Sequence, residues 1–250
     1  MTDKINALLP KIKHHSIFSK HDFRLVGGTA MSYHLGHRIS EDLDLFYLGD
    51  LPGEAIEEFV EHCISELGDA AVVYVPNSNE MLEDFAIGGG DANDHLQTWM
   101  IGGVKVQFVD GTSALSIRKF FEEDNFTKIG DIKIAALETI FKMKSLMFYK
   151  RTKSRDLFDM IYFFSMGNQN YSLEATMDLI KTYERLYHSN EVLHEFWVQS
   201  FLSKRYDPLR DEGLAGLAKA VPGYHEMREA IADAVKGDRK GLDKLIGLIR

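Results

Sequence analysis

Hydrophobic and polar positions follow two different periods along this chain, and the change of period divides it. Short runs rich in β-branched and aromatic residues, at Phe23–Val26, Leu43–Tyr47, Ala71–Val75, Leu96–Ile101 and Val104–Val109, have the length and spacing of strands. Between the second and third run, Ile56, Phe59, Val60, Ile64 and Leu67 recur at helical spacing and predict a helix over Glu54–Leu67. Gly102-Gly103 separates the last two runs by two residues, the loop length of a tight hairpin. From about residue 112 the spacing becomes that of long helices, predicted over roughly 131–150, 155–165, 173–187, 190–203 and 224–235. Breaks are expected at Gly167-Asn168, Asp207-Pro208 and Pro222-Gly223. The chain therefore reads as α+β, with strands and helices mixed over residues 1–125 and an all-helical domain over residues 126–250.

Composition narrows the class of protein. With 250 residues, 45% of them hydrophobic and 27% charged, the chain can bury one large core or two modest ones and is neither disordered nor fibrous. No run approaches the roughly 18 apolar residues of a membrane span, and the N-terminal MTDKINALLPKIKHH carries charges where a signal peptide needs an apolar stretch. A cytoplasmic protein without membrane association is expected. The single cysteine, Cys63, has no disulfide or zinc partner of its own kind and reads as a packing residue. A formal charge of −9 rules out nucleic-acid attraction by net field, so any RNA or DNA contact must be local.

Candidate chemistry concentrates in residues 23–46. A strand runs into Gly27-Gly28, and Thr29 can open a helix reaching about Leu35, with Gly36 ending it. Paired glycines let backbone approach a ligand closely, and free amides at a helix start favour an anion such as phosphate, so Gly27, Gly28 and Thr29 are candidates for cradling a nucleotide's phosphates. Alone, such a turn is only a tight strand-to-helix connection. Asp42 and Asp44 change its meaning, because residues two apart on a strand project to one face, while Leu43 and Leu45 point to the core. Two carboxylates so close repel unless a cation sits between them, and Mg2+ takes one or two carboxylates together with phosphate oxygens. Ser40 is a candidate for hydrogen bonding near the metal or triphosphate and Arg38 for neutralising phosphate, with capping of the turn the competing role for both.

These residues resemble the polymerase-beta-type nucleotidyltransferases, whose signature is a glycine pair followed by Asp-x-Asp on the next strand. More narrowly, Gly27-Gly28-Thr29-Ala30 with His37-Arg38-x-Ser40-x-Asp42-x-Asp44-x-Phe46 is similar to the AbiEii/AbiGii toxin family of abortive-infection and toxin-antitoxin nucleotidyltransferases. That family also carries a helical lysine followed by a basic-Asp-x-x-Asp unit. Leu137-Glu-Thr-Ile-Phe-Lys-Met-Lys144, then Lys150-Arg-Thr-Lys-Ser-Arg-Asp156-Leu-Phe-Asp159, matches it in content and order. The resemblance covers residues 23 to about 165 and implies a mixed sheet flanked by helices, followed by a helical domain. It further implies transfer of a nucleoside monophosphate from an NTP to a hydroxyl, with Mg2+, or Mn2+ in its place, held by Asp42 and Asp44. A tRNA acceptor, a role in growth inhibition and a cognate antitoxin belong to the same implication.

The second motif has a physical reading of its own. Lys142, Lys144, Lys150, Arg151, Lys153 and Arg155 form a run without an acidic residue, a local positive patch in an acidic protein. Lys144 is assigned to a triphosphate oxygen or the acceptor, Arg155 to phosphate charge, and Asp156 to orienting one of them. Asp159, one turn on, reads as a helix-surface partner.

One departure from the superfamily pattern stands out. A third carboxylate is usual on a later strand, and the matching position in Val104-Lys-Val-Gln-Phe-Val109 is Gln107, which cannot take a proton. Asp110 is three residues further and should face the opposite side. Three readings stay open: two carboxylates with one metal suffice, Asp110, Asp91 or Asp94 completes the site, or transfer is lost and a nucleotide-binding shell remains. Transfer to a protein or small-molecule hydroxyl is the alternative within enzymes. His14, His15, His34, His37 and His62 lack zinc-site spacing, and Trp99, Phe108, Phe141, Phe148, Tyr149, Phe158, Tyr162 and Phe163 read as interior aromatics.

Overall fold

The computed structural model describes residues 1–111, 115–148, 153–183, 199–203, 208, 211 and 213–249. Two compact units emerge, Met1–Ile140 and Phe141–Arg250. In the first, β1 (Arg24–Val26), β2 (Asp42–Tyr47), β3 (Val72–Val75), β4 (Leu96–Ile101), β5 (Val104–Asp110), β6 (Thr127–Ile129) and β7 (Ile132–Ile134) form one sheet in the order β3-β4-β5-β2-β1-β7-β6. The sheet is mixed: β2 pairs β5 and β1 pairs β7 in parallel, and the other neighbours are antiparallel. Gly102 and Gly103 turn β4 into β5 with φ of 58° and 73°, backbone that side chains with a Cβ rarely adopt, so the predicted hairpin rests on glycine at both positions.

Alternation decides what each face of the sheet does. Along β5, Val104, Val106, Phe108 and Asp110 are buried while Lys105, Gln107 and Val109 are half-exposed; along β2, Leu43 and Leu45 are buried between half-exposed Asp42 and Asp44. The helices α2 (Ser16–Lys20) and α4 (Gly53–Leu67) close over the apolar face, with Phe59 packed edge-on against Phe18 at 5.6 Å and Phe108 at 5.7 Å between ring centres. A third helix, α1 (Asp3–Ile12), packs against α4 and β5 and buries Ile5, Leu8, Leu9 and Ile12. Truncating a fully buried aromatic such as Phe59 costs about 3–5 kcal/mol. Between β1 and β2 runs α3 (Gly27–Leu35), and α5 (Asn79–Ile87) and α6 (Leu115–Glu122) complete the unit.

The β6–β7 hairpin corrects the expectation of an all-helical second half. Ile132–Ile134 lies where a helix from about 131 is predicted, because Lys133 and Ile134 pair with Arg24 and Leu25 and extend the sheet past β1. Gly130 makes the turn at φ 61°, and a Cβ there would meet the Lys13 carbonyl at 2.6 Å. The helix begins only at Leu137, and the first unit reaches Ile140, beyond the boundary of 125 drawn from the sequence.

The second unit is helical: α7 (Leu137–Met147, within which the division at Ile140 falls), α8 (Ser154–Ser165), α9 (Leu173–Tyr183), α10 (Tyr224–Val235) and α11 (Lys240–Ile249). Phe141, Phe148, Phe158 and Phe163 are buried, with Phe141 and Phe163 centred 5.2 Å apart, while α10 and α11 pack on α8. Residues 199–203 are helical; Tyr149, Lys150, Arg151, the remainder of the expected 190–203 helix, the end of the 173–187 helix and the Asp207 break lie outside the described residues. Among the described residues no helix is long and apolar enough to cross a membrane.

Candidate active site

The glycine pair is fixed by what lies against it. Gly27 has φ +70°, and a Cβ there would collide with the Asp44 carboxylate; at Gly28 it would collide with the Arg38 guanidinium and sit 3.1 Å from Ser40 Oγ. Three side chains singled out from sequence thus converge on the turn that opens α3, and only glycine leaves room for them. The N-cap of α3 is Val26, whose side chain makes no cap bond to the first-turn amides. Gly36 ends α3 in the left-handed conformation, as predicted, donating its N–H to the Ser32 carbonyl at 2.8 Å.

The return from α3 to β2 is tied by hydroxyls. Ser32 Oγ donates to the Arg38 carbonyl at 2.7 Å, and Arg38 Nη1 donates to the Ile39 carbonyl at 3.1 Å. Thr29 is buried, with its hydroxyl against the Asp42 carbonyl and 2.8 Å from Ser40 Oγ. A carbonyl can only accept, so the Thr29 proton goes there and Ser40 is the donor of the second bond. The Thr29 hydroxyl is therefore committed to the chain, holding Ser40 and the start of β2 in place.

Asp42 and Asp44 share the half-exposed face of β2 with their register partners on β5, Lys105 and Gln107, while Val26 of β1 lies opposite Asp44. Lys105 Nζ is 3.2 Å from Asp42 Oδ2. Gln107 Nε2 donates to Thr98 Oγ1 at 3.0 Å. Asp110 points to the opposite, buried face, where its Oδ2 lies 2.8 Å from His95 Nδ1. Asp91 caps a short turn by accepting from Asn93 N at 2.8 Å, and Asp94 is exposed. Among the described residues no group of three or more His, Cys, Asp or Glu side chains is placed to hold a metal, so none of these acids joins the Asp42–Asp44 pair. Two hard oxygen donors on one strand face, beside the glycine turn that opens α3, fit Mg2+ that brings phosphate oxygens as its remaining ligands.

The second motif forms a cluster of its own within the helical unit. Lys144 Nζ lies 2.8 Å from Asp159 Oδ2 and 3.3 Å from Asp156 Oδ1, and the Asp159 side chain is fully buried. Asp159 is thus no helix-surface partner: it is the nearer anchor of Lys144, because positions 156 and 159 stack on one side of α8. Arg155 Nε donates to the Gly213 carbonyl at 3.0 Å, and Ser154 bonds Asp211 through both its amide, at 3.2 Å, and its hydroxyl.

Sequence reasoning missed Lys105 and the burial of Asp159. The first is visible only once β2 and β5 are set in register; the second had a local signal, the i,i+3 spacing from Asp156 on a helix with Leu157, Phe158, Met160 and Ile161 around it. Cys63 is fully buried, and burial, with Glu66 nearby, pushes its thiol up to about 12, which suits a packing role.

Comparison with known proteins identifies the family. A family model described as nucleotidyl transferase AbiEii toxin, type IV toxin-antitoxin system, matches residues 16–236. No curated protein matches the chain. Among solved structures, similar chains include a candidate nucleotidyltransferase from Helicobacter pylori (15% identity, 98% of this chain and 99% of that one, TM-score 0.48). The nucleotidyltransferase toxin MenT4 from Mycobacterium tuberculosis H37Rv is another (13% identity, 97% of this chain and 86% of that one, TM-score 0.49).

Proposed function

Because the chain belongs to the AbiEii nucleotidyl transferase toxin family, we propose that it moves a nucleoside monophosphate from an NTP to a hydroxyl on RNA, with a tRNA end as the acceptor. The observation that carries this reading is the convergence of Asp44, Arg38 and Ser40 on Gly27-Gly28, with Asp42 beside Asp44 on the same strand face. Asp42 and Asp44 would hold Mg2+, which when bound supplies charge neutralisation and polarises the phosphoryl oxygens. Gly27 and Gly28 bring the α3 amides to the phosphates, Ser40 turns its hydroxyl proton from Thr29 to a phosphate oxygen, and Arg38 offsets the phosphate charge. Lys144 and Arg155 are the candidates for meeting negative charge on the triphosphate or the acceptor, and Asp156 orients Lys144 together with Asp159.

In the transfer, the acceptor oxygen forms a bond to the α-phosphorus as the bond from that phosphorus to the bridging oxygen breaks, and pyrophosphate leaves with the electron pair. Gln107 accepts no proton, so the acceptor is activated by position and its proton passes to solvent. Little covalent chemistry is asked of the side chains; holding the reactants in line and balancing charge are their tasks. The same reading makes the protein the growth-inhibiting member of a toxin-antitoxin pair, acting inside the cell and restrained by a cognate antitoxin.

The test incubates the protein with α-32P-labelled NTPs, Mg2+, total RNA and a protein extract. Label on small RNA is expected, and Asp42→Ala with Asp44→Ala should remove it. Label on protein would move the acceptor to a protein hydroxyl, no label at all would leave a nucleotide-binding shell, and label that survives the double substitution would dismantle the site.

A further inference from the structure

We propose that Lys105 takes a triphosphate oxygen beside a single divalent ion, in the place of a second metal; the inference rests on the functional reading above. Its starting point is the register of β2 and β5, which sets Asp42 against Lys105 and Asp44 against Gln107 on one open face. That face offers two carboxylates, one ammonium 3.2 Å from Asp42, and one neutral amide committed to Thr98. With no further His, Cys, Asp or Glu joining the pair among the described residues, its donors suffice for one divalent ion.

Phosphoryl transfer builds charge on both the attacking and the leaving oxygens, and sites with two divalent ions clamp the two ends. One ion leaves half of that task undone. Two carboxylates, one divalent ion and one ammonium carry the same net single positive charge as three carboxylates with two divalent ions, so Lys105 restores the balance that Gln107 removes. A lysine suits the exchange: its ammonium is a compact charge on a flexible stem, its side chain is a third exposed, and turning from Asp42 to a phosphate oxygen needs only rotation about that stem. Asp42 is then released to the metal. The ion pair keeps the two aspartates from facing each other uncompensated, and its opening is coupled to arrival of metal and triphosphate together.

The experiment counts Mn2+ by electron paramagnetic resonance in the full chain with the α,β-imido analogues of ATP, GTP, CTP and UTP, and follows label transfer from the four NTPs in parallel. One Mn2+ per chain is expected in the wild type and in Lys105→Met. Lys105→Met should slow single-turnover transfer by about 10²-fold or more without weakening Mn2+ binding, whereas Lys105→Arg should stay within about tenfold of wild type. Two Mn2+ per wild-type chain, slowing by less than about tenfold in Lys105→Met, or loss of Mn2+ binding in that variant would overturn the proposal while leaving the functional reading intact. An unlabelled wild-type reaction, or transfer persisting in Asp42→Ala/Asp44→Ala, would instead defeat the reading of the site and this proposal with it.

Discussion

Gly27→Ala separates the two demands that the glycine turn meets. The first is conformational: Gly27 sits at φ +70°, where an alanine costs about 1–2 kcal/mol. The second is spatial: the new methyl would overlap the Asp44 carboxylate, and β2 cannot retreat because β1 and β5 pair with it on either side. The carboxylate must rotate away instead. Displacing a positioned group by about 1 Å costs roughly 10²-fold in rate, so transfer should fall by at least that much while the protein remains folded. For a chain of this length the strain corresponds to a melting temperature lower by about 2–4 °C per kcal/mol. Gly28→Ala is the matched comparison. Its φ is not in the left-handed region, and its methyl would meet the end of the flexible Arg38 side chain with Ser40 alongside, so it should melt closer to wild type and lose phosphate affinity before turnover. Thermal melts and the labelled-NTP assay on both variants decide the matter. A Gly27→Ala protein with wild-type melting and wild-type transfer would show that neither the backbone conformation nor the contact with Asp44 is as described.

Two further outcomes follow from buried and half-buried charge. Removing Asp159, whose fully buried carboxylate lies 2.8 Å from Lys144, leaves that ammonium to Asp156 at 3.3 Å, and Asp159→Ala should cost about 3–5 kcal/mol in urea melts. Replacing all three groups, Lys144→Met with Asp156→Asn and Asp159→Leu, should recover most of that loss, and Asp159→Ala losing under about 1 kcal/mol would contradict the burial of the pair. Asp22 titrates below its usual range: burial alone would raise it, but hydrogen bonds from Arg24 and from Lys133, 2.6 Å away, outweigh that effect. Its depressed folded value means the unfolded chain binds the proton first, so its stabilisation is present above the ordinary carboxylate value near 3.8 and is lost as pH falls through the lower folded value. Asp22→Asn should flatten that acid limb of a stability-against-pH curve, and an unchanged limb would count against the interaction.

The strands that build the sheet's centre were legible because their signals are local. Leu96–Ile101 and Val104–Asp110 are bounded by a Gly-Gly turn that only a hairpin uses well, and β5 alternates without interruption. The β6–β7 hairpin was not, although Ile129, Ile132 and Ile134 alternate with polar residues. Ile132, Ile134, Ala135, Leu137 and Ile140 also satisfy helical spacing, and nothing nearby chooses between the two periods. The choice is made by β1, whose outer edge pairs Lys133 and Ile134 and would otherwise present unpaired backbone groups. Such a partner, about a hundred residues upstream, is invisible to a local window. The helix is then confined to the residues after Ala135, whose amide is taken by Leu25 at 3.0 Å.

The same distinction governs the site. Asp42, Asp44 and the glycine pair could be placed from sequence because strand parity and a strand-to-helix turn act over a few residues. Parity also settles Gln107 against Asp110: with no bulge between Val104 and Asp110 the two must face opposite sides, and the buried pair of Asp110 with His95 is the consequence. Lys105 obeys the same parity as Gln107, yet its meaning depends on which strand lies beside β5 and in what register. One step of slippage would put Lys105 against Leu43 and move Asp42 beside an apolar neighbour. Register here is held by burial of Leu43 and Leu45 on β2 and of Val106 and Phe108 on β5, since a slip of either strand by one would carry its own pair into the open. The apolar alternation that packs one side of the sheet therefore also places the ammonium 3.2 Å from the carboxylate on the other, and the field at the site is set by core packing as much as by the charged residues themselves.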